Sequence, residues 1–267
     1  MINAIEEGQY VDTIINPSLN LESCNVESVV NFRIQPGHFH WFYFDKLYSV
    51  LRHAPKGKVL DVACGIGFLS VLLAHFGHQV VAVDISKNSI AKAKKLATLC
   101  NCIDKIDFRV MDVSQLSFDS DSFDIVTGED ALHHIIKYPG AIENIYRVLK
   151  PGGIAYFSEP FAFNPIINIM RYINVRVKNH KGEQFLGRKE LKLLNSNFDE
   201  LIITDKSVIY VFSRFFQNPS DRNRKINIFL KKIDDICQSK ISFICRFYSL
   251  AFLELKKKNR VLSLHKY

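Results

Sequence analysis

The stretch VLDVACGIGFLS, residues 59–70, decides how the rest of the chain is read. Val59 and Leu60 lead to Asp61, two glycines flank Ile66, and an apolar run resumes at Phe68. A short apolar run is a strand signal, and the segment from Phe68 has the composition of a buried helix. The intervening Gly65 and Gly67 are two of only 12 glycines in 267 residues. Glycine accepts left-handed backbone and lets the main chain come close to a ligand. The expectation is therefore a strand, a glycine loop and a helix, with Gly65 at the approach to the ligand and Gly67 at a sharp helix entry.

Outward from this unit the chain alternates. KVLDVA (58–63), HQVVAVD (78–84), KIDFRVMD (105–112), SFDIVTGED (122–130) and GIAYFSEP (153–160) read as strands. Between them lie helical patterns: one ending at Gly77, one beginning after the cap residue Ser86, and one in YPGAIENIYRVLK (138–150). Continuous apolar strands alternating with helices imply a parallel sheet covered on both faces. Before the core, residues 37–55 place Trp41, Phe44, Leu47, Tyr48 and Leu51 at helical spacing. Beyond residue 160 a long connection precedes a helix (187–198) and a strand (199–208). Residues 208–258 read as mostly helical, and NRVLSLHKY (259–267) alternates like an edge strand. The expected division is a helical cap (1–55), an α/β core (56–207), a helical insertion or substrate lid (208–258) and a final edge strand (259–267).

Composition narrows the classes. Hydrophobic residues make up 48% of the chain, enough for a sizeable core. The six cysteines form no CxxC pair, so neither a zinc knuckle nor a metal site is expected, and free thiols suit a reducing compartment. Cys100 and Cys102 are expected at a helix end as small apolar residues. No signal peptide is expected from MINAIEEGQY. The most apolar stretch, 241–255, is shorter than a membrane span and is interrupted by Arg246. The expected location is the cytoplasm, with a peripheral place at a membrane as an extension. The net charge is +8, and residues 221–260 hold eleven Lys and Arg against four Asp and Glu. Such a segment could attract an anionic surface, or simply be a solvated helix face.

Ligands of open parallel sheets bind at the carboxyl ends of the strands, where strand order reverses. Asp61, Ala63, Gly65 and Gly67 fall at that edge. Asp84 closes the second strand at a spacing suited to ribose hydroxyls, the reading that strand, acid and spacing favour over a cap of the following helix. Asp112 closes the third strand, as an acceptor for an adenine amino group or as a turn residue. A GxGxxG pyrophosphate motif is missing, because Ser70 stands where the third glycine would be. The edge thus suits a nucleoside without phosphates.

Together VLDVACGIG, VVAVD, FRVMD, FDIVTGEDALHHI and LKPGG, spanning about residues 55–160, resemble the class I S-adenosylmethionine-dependent methyltransferases. The likeness is greatest to the small-molecule subgroup that includes quinone and sterol methylases. The resemblance implies a Rossmann-like, doubly wound, seven-stranded sheet whose last strand is antiparallel. It implies S-adenosyl-L-methionine as cofactor, with Asp61, Ala63 and Gly65 at the methionine end and Gly67 shaping the turn. Asp84 would hold the ribose with Ile85 against the adenine; Asp112 and Val113 would meet the adenine edge, and Glu129 would lie near the sulfonium. Many relatives carry glycine where Ala63 stands.

A sulfonium methyl needs alignment with its acceptor more than activation. A hydroxyl acceptor must also lose a proton, for which histidine is suited. His133 and His134, after the fourth strand, are the candidates, either as base or as loop histidines bonded to backbone; His133 is expected to be the outward one. Glu159 is a candidate substrate contact or a partner for backbone amides, and His38 and His40 could reach the substrate from the cap. The expected partner is a small-molecule or glycan-type acceptor methylated on oxygen. Alternatives are carbon methylation of a lipid-like quinone at a membrane surface, reached through residues 241–260, and a regulatory protein that binds the cofactor without turnover. Nucleic acid is disfavoured, because GEDA (128–131) stands where amino-methylating nucleic-acid enzymes carry Asn/Asp-Pro-Pro-Tyr. A homodimer is compatible with the apolar carboxyl-terminal segment.

Overall fold

In the computed structural model the described residues are 25–34, 37, 39–166, 168–169, 185–209, 212, 220–241 and 243–259. Two helices, α1 (Val26–Ile34) and α2 (Phe39–His53), precede the core. The core then runs β1 (Lys58–Val62), α3 (Phe68–His75), β2 (Gln79–Asp84), α4 (Lys87–Leu99), β3 (Ile106–Val110) and β4 (Phe123–Glu129). It continues through α5 (Leu132–Ile135), α6 (Ala141–Val148), β5 (Leu149–Pro160), α7 (Arg188–Asn197) and β6 (Glu200–Ser207). A 20-residue helix, α8 (Asp221–Lys240), and a strand, β7 (Leu250–Lys256), complete it.

The seven strands form one sheet in the order β3-β2-β1-β4-β5-β7-β6. The pairs from β3 to β5 are parallel, and β7 runs antiparallel to both β5 and β6. The chain leaves β1 toward β2 and β3 and returns to β4 on its other side, so the reversal of strand order falls between β1 and β4. β1 and β2 are buried at every position after the first, which explains their unbroken apolar sequence: helices cover both faces. One layer sets Leu47 and Leu51 of α2 against Leu72 of α3 and Leu96 of α4. The other joins Ile142 and Ile145 of α6 to Phe123, Phe157 and Leu194. Each such fully buried side chain contributes about 1.5–3 kcal/mol.

Local signals behave as their chemistry requires. Ser86 Oγ accepts from Ser89 N at 3.0 Å and caps α4. Cys100 and Cys102 lie buried at the end of that helix. Gly77, at φ +92°, turns the chain out of α3. Phe44, Leu47, Tyr48 and Leu51 are buried as their spacing predicts.

The carboxyl-terminal expectation needs correction. The final described strand is Leu250–Lys256, inside the segment read as helical, and it is an inner strand. The edges of the sheet are β3 and β6. LAFLELK is buried at all but two positions, and that apolar density, resembling a buried helix, hid the strand. Only Asn259 of the proposed edge strand 259–267 is described; residues 260–267 lie outside the described residues. The insertion between β6 and β7 is helical over Asp221–Lys240 and in a 3-10 turn at Ile244–Phe247.

Candidate active site

The site is built at the carboxyl ends of β1, β2 and β4. Leaving β1, the backbone turns left-handed at Ala63 (φ 50°), Gly65 (φ 54°) and Gly67 (φ 84°). A Cβ on Gly67 would stand 2.8 Å from Ala93 Cβ, whereas one on Gly65 would meet nothing within 4 Å. Gly67 is thus required by packing, and Gly65 leaves space above the loop. The loop is locked to β2: Gly65 N donates to Asp84 Oδ2 at 2.9 Å, and Cys64 N donates to Val83 O at 3.0 Å. Asp84 Oδ1 also accepts from Ser86 N at 2.8 Å. One carboxylate thus steadies both the glycine loop and the turn into α4, whose cap is Ser86. Two oxygens with about four lone-pair sites retain capacity for hydroxyls. Ile85 follows, half-buried.

Asp61 is fully buried and lies below the loop. Its Oδ2 accepts from Ser70 Oγ at 2.6 Å, and its Oδ1 has no hydrogen-bond partner among the described residues. Burial pushes the Asp61 carboxyl well above the usual carboxylate range; the Ser70 hydroxyl opposes this, and the charges of Glu129 and Asp84 add to it. A buried acceptor left unmatched is costly, and here it borders a cavity of about 160 Å³ that Arg33, Gly65, Phe68 and Glu129 also line. Complete small-molecule pockets span roughly 300–1,000 Å³, so this cavity fits one end of a cofactor. An ammonium group there would satisfy Asp61 Oδ1. A larger cavity of about 350 Å³ lies near Lys58, Gln79 and Ile106, at the opposite ends of the strands.

Glu129, at the end of β4, is held from the amino-terminal cap. Tyr48 donates its hydroxyl hydrogen to Glu129 Oε1, and Arg33 Nη1 lies 3.3 Å from Glu129 Oε2. The Arg33 guanidinium also sits 4.3 Å from the Phe68 ring centre. Burial, then the neighbouring Glu129 charge, pushes the Tyr48 phenol well above its usual value, so it stays a donor. Arg33 and Tyr48 were not singled out as site residues from the sequence. Tyr48 could have been noticed as the polar member of an aromatic stripe; Arg33, in a patternless segment, carried no signal.

The third strand ends at Val110, two residues before the expected Asp112. Asp112 instead caps a 3-10 turn, its Oδ1 accepting from Ser114 N at 2.8 Å. It remains half-exposed at the correct edge beside buried Val113.

Two expectations around the loop after β4 are settled by burial. Of the two readings of Glu159, in β5, the substrate contact is corrected and the partner for backbone amides holds: the side chain is fully buried and accepts from the backbone nitrogens of Ala131, Leu132 and His133. Its Oε2 also lies 2.7 Å from His133 Nδ1. His133, expected to point outward, is only 2% exposed for the same reason. Its ring centre is 4.0 Å from that of His134, which is half-buried and hence the more accessible of the two. Asp130, His133 and Glu159 place ligand-type atoms within 4.8 Å of one another. The hydrogen bonds already on Glu159 make this an anchor for the loop. His38 lies outside the described residues; His40 lies in α2, its side chain outside them.

Residues 60–157 match the family model described as "Methyltransferase domain". That segment contains the glycine loop and Asp84, Asp112 and Glu129. This core is a class I S-adenosylmethionine-dependent methyltransferase domain. The chain is 40% identical over 129 residues to sterol 24-C-methyltransferase of Saccharomyces cerevisiae, a match covering 43% of this chain and 34% of that protein. It is 39% identical over 104 residues to the ubiquinone biosynthesis O-methyltransferase of Coxiella burnetii, covering 39% and 44%. Among solved structures, phosphoethanolamine N-methyltransferase 2 of Haemonchus contortus, in complex with phosphomonomethylethanolamine and S-adenosylhomocysteine, superposes with a TM-score of 0.57. That likeness, at 19% identity over 97% of this chain and 60% of that one, shows the shared fold. The matches span about a third to under half of the length of the curated relatives. The methyltransferase domain is therefore the common part, and the relatives' acceptors differ.

Proposed function

We propose that the chain methylates an oxygen of a small-molecule or glycan-type acceptor, using S-adenosylmethionine held at the ends of β1, β2 and β4. The observation that carries this reading is the pair of histidines after β4, whose ring centres lie 4.0 Å apart with planes tilted by 40°. Glu159 fixes His133 through Nδ1, and His133 in turn supports the accessible ring of His134. A positioned, accessible imidazole suits an acceptor that must lose a proton. The 39% identity to an oxygen methyltransferase over part of the core agrees with it.

In this reading Asp61 and Glu129 hold the amino-acid end of the cofactor, and Asp84 holds the ribose. Ile85 and Val113 flank the adenine, with Asp112 at its amino group. Bound there, the cofactor would supply a methyl group on a sulfonium, to be taken by the acceptor oxygen as the carbon–sulfur bond returns its electron pair to sulfur. His134 takes the acceptor's proton.

Carbon methylation of a lipid-like acceptor is the second reading. It is favoured by the 40% identity to a sterol carbon methyltransferase and by exposed apolar residues on α8.

The test is turnover of S-adenosylmethionine with panels of hydroxylated, quinone and sterol acceptors, the product position being assigned by NMR. The proposal expects an O-methyl product and a loss of about 10²–10⁴ in turnover for His134→Ala, with cofactor affinity retained. Full activity of that variant, or a C-methyl product, would overturn it.

A further inference from the structure

The carboxyl-terminal helix has an inward and an outward face. Inward, Asp234 accepts from Ser207 Oγ and from the backbone nitrogens of Val208 and Ile209, and Asn227 Nδ2 donates to Gly37 O at 2.9 Å. Lys231 joins this side, bonded to Asp205 and Asp235. Outward, Arg222, Lys225, Phe229, Lys232, Ile236 and Lys240 recur at intervals of three or four and are all exposed. They form one stripe of roughly 27 Å at a rise of about 1.5 Å per residue. Phe229 is 62% exposed and Ile236 is 54% exposed. Among the described residues no ion-pair partner neutralises the four cations of the stripe. The turn that follows adds Phe243, 61% exposed, packed edge-on against Phe247, with Arg246 over its ring.

Single exposed apolar residues are ordinary, but a row of them interleaved with cations on one face is not. We infer that the outward face of α8, with the Phe243–Phe247 turn, docks on an anionic lipid surface. Phe229, Ile236 and Phe243 insert at the level of the headgroups while the cations meet lipid phosphates. Charge complementarity selects this occupant. A second copy of the chain would set one cationic stripe against another, whereas anionic lipid attracts each Lys or Arg at the surface. Of the segment 241–260 read from the sequence as a membrane contact, this face keeps the Phe243–Phe247 turn and adds the outward side of α8. Of residues 241–260, the strand Leu250–Lys256 is inside the sheet, and Lys257 is buried, with Nζ bonded to Asp121 and to Leu149 O.

The inference is independent of the acceptor and of the histidines. It is tested by co-sedimentation of the full chain with vesicles of phosphatidylglycerol and phosphatidylcholine, against phosphatidylcholine alone. Two variants, Phe229→Ser/Ile236→Ser and Lys225→Glu/Lys232→Glu, are checked for fold by circular dichroism and for unchanged affinity toward S-adenosylhomocysteine. Expected are binding to the anionic vesicles only, weakening in high salt, and at least about tenfold weaker binding by each variant. No binding to anionic vesicles by the parent chain would overturn the inference, as would binding that both variants retain. A parent dimer in sedimentation that either variant dissociates, or anionic-surface binding displaced by nucleic acid at equal charge, would reassign the face and overturn it too.

Discussion

Gly65 N donates to Asp84 Oδ2 across 2.9 Å, so the acid at the end of the second strand holds in place the loop at the end of the first. The residue expected to bind ribose is also the residue that shapes the floor beneath the methionine end. Asp84→Ala would therefore remove a ligand contact and release two backbone donors at once. Hydrogen bonds to charged groups contribute about 1.5–3 kcal/mol each, so affinity for S-adenosylhomocysteine is expected to fall at least about tenfold. Calorimetric titration decides it: an affinity within threefold of the parent would remove Asp84 from the site.

If Asp61 meets the cofactor's ammonium group as proposed, cofactor binding should depend on pH. Its carboxyl is raised well above 3.8, chiefly by burial. Without ligand, the neutral acid is the stable buried form. The stability this gives is present below the ordinary carboxyl value and is lost as pH rises through the elevated one. An ammonium group beside Oδ1 reverses the preference, so binding expels a proton. Affinity should rise with pH across the interval between those two values, by up to about tenfold per pH unit. Titrations in buffers of different ionisation heats measure the released proton, and Asp61→Asn should abolish the release. Binding without proton exchange in the parent would refute the assignment.

The two glycines of the loop should fail differently. Left-handed backbone costs a residue with a Cβ about 1–2 kcal/mol, and at Gly67 overpacking against Ala93 adds about 1–3 kcal/mol. Gly67→Ala should therefore lower the denaturant midpoint more than Gly65→Ala. Gly65→Ala places a methyl in open space beside the cavity and should act mainly on ligand affinity. Equal stability of the two variants would contradict the packing argument.

Glu159 should prove to be a platform. Its replacement by Ala strands three backbone donors and the His133 ring, at about 1–3 kcal/mol for each buried group left unsatisfied. Glu159→Ala should be destabilised by at least about 3 kcal/mol, with Glu159→Gln between it and the parent. Cofactor affinity should hold while turnover falls. An unchanged unfolding midpoint in Glu159→Ala would show that the carboxylate is not holding the loop.

The alternating core was legible because its strands are buried on both faces and its helices carry ordinary caps; Asp61, Gly67, Ser86 and Glu129 stood where local pattern placed them. Glu159 and His133 were harder. Their burial arises from a bond spanning 26 residues, and no local periodicity reports a partner on another strand. Arg33 reaches Glu129 from a helix with almost no amphipathic contrast, so only the folded chain brings them together. The last strand differs from the helix expected there because a seven-residue run with five buried positions, beside a 20-residue helix, lacks the alternation that separates strand from helix.

The position of that strand sets an order on biosynthesis. β6 reaches the sheet only through β7, and β7 is the last strand described. A ribosome has finished β5 and β6 long before residues 250–256 emerge. Until then the hydrogen-bonding groups of Ile154–Pro160 that point away from β4 face no partner, an open edge of the kind that recruits foreign strands. Closure of the sheet is thus deferred until β7 has emerged, and a nascent chain halted before residue 250 would present that edge to chaperones, proteases and other copies of itself.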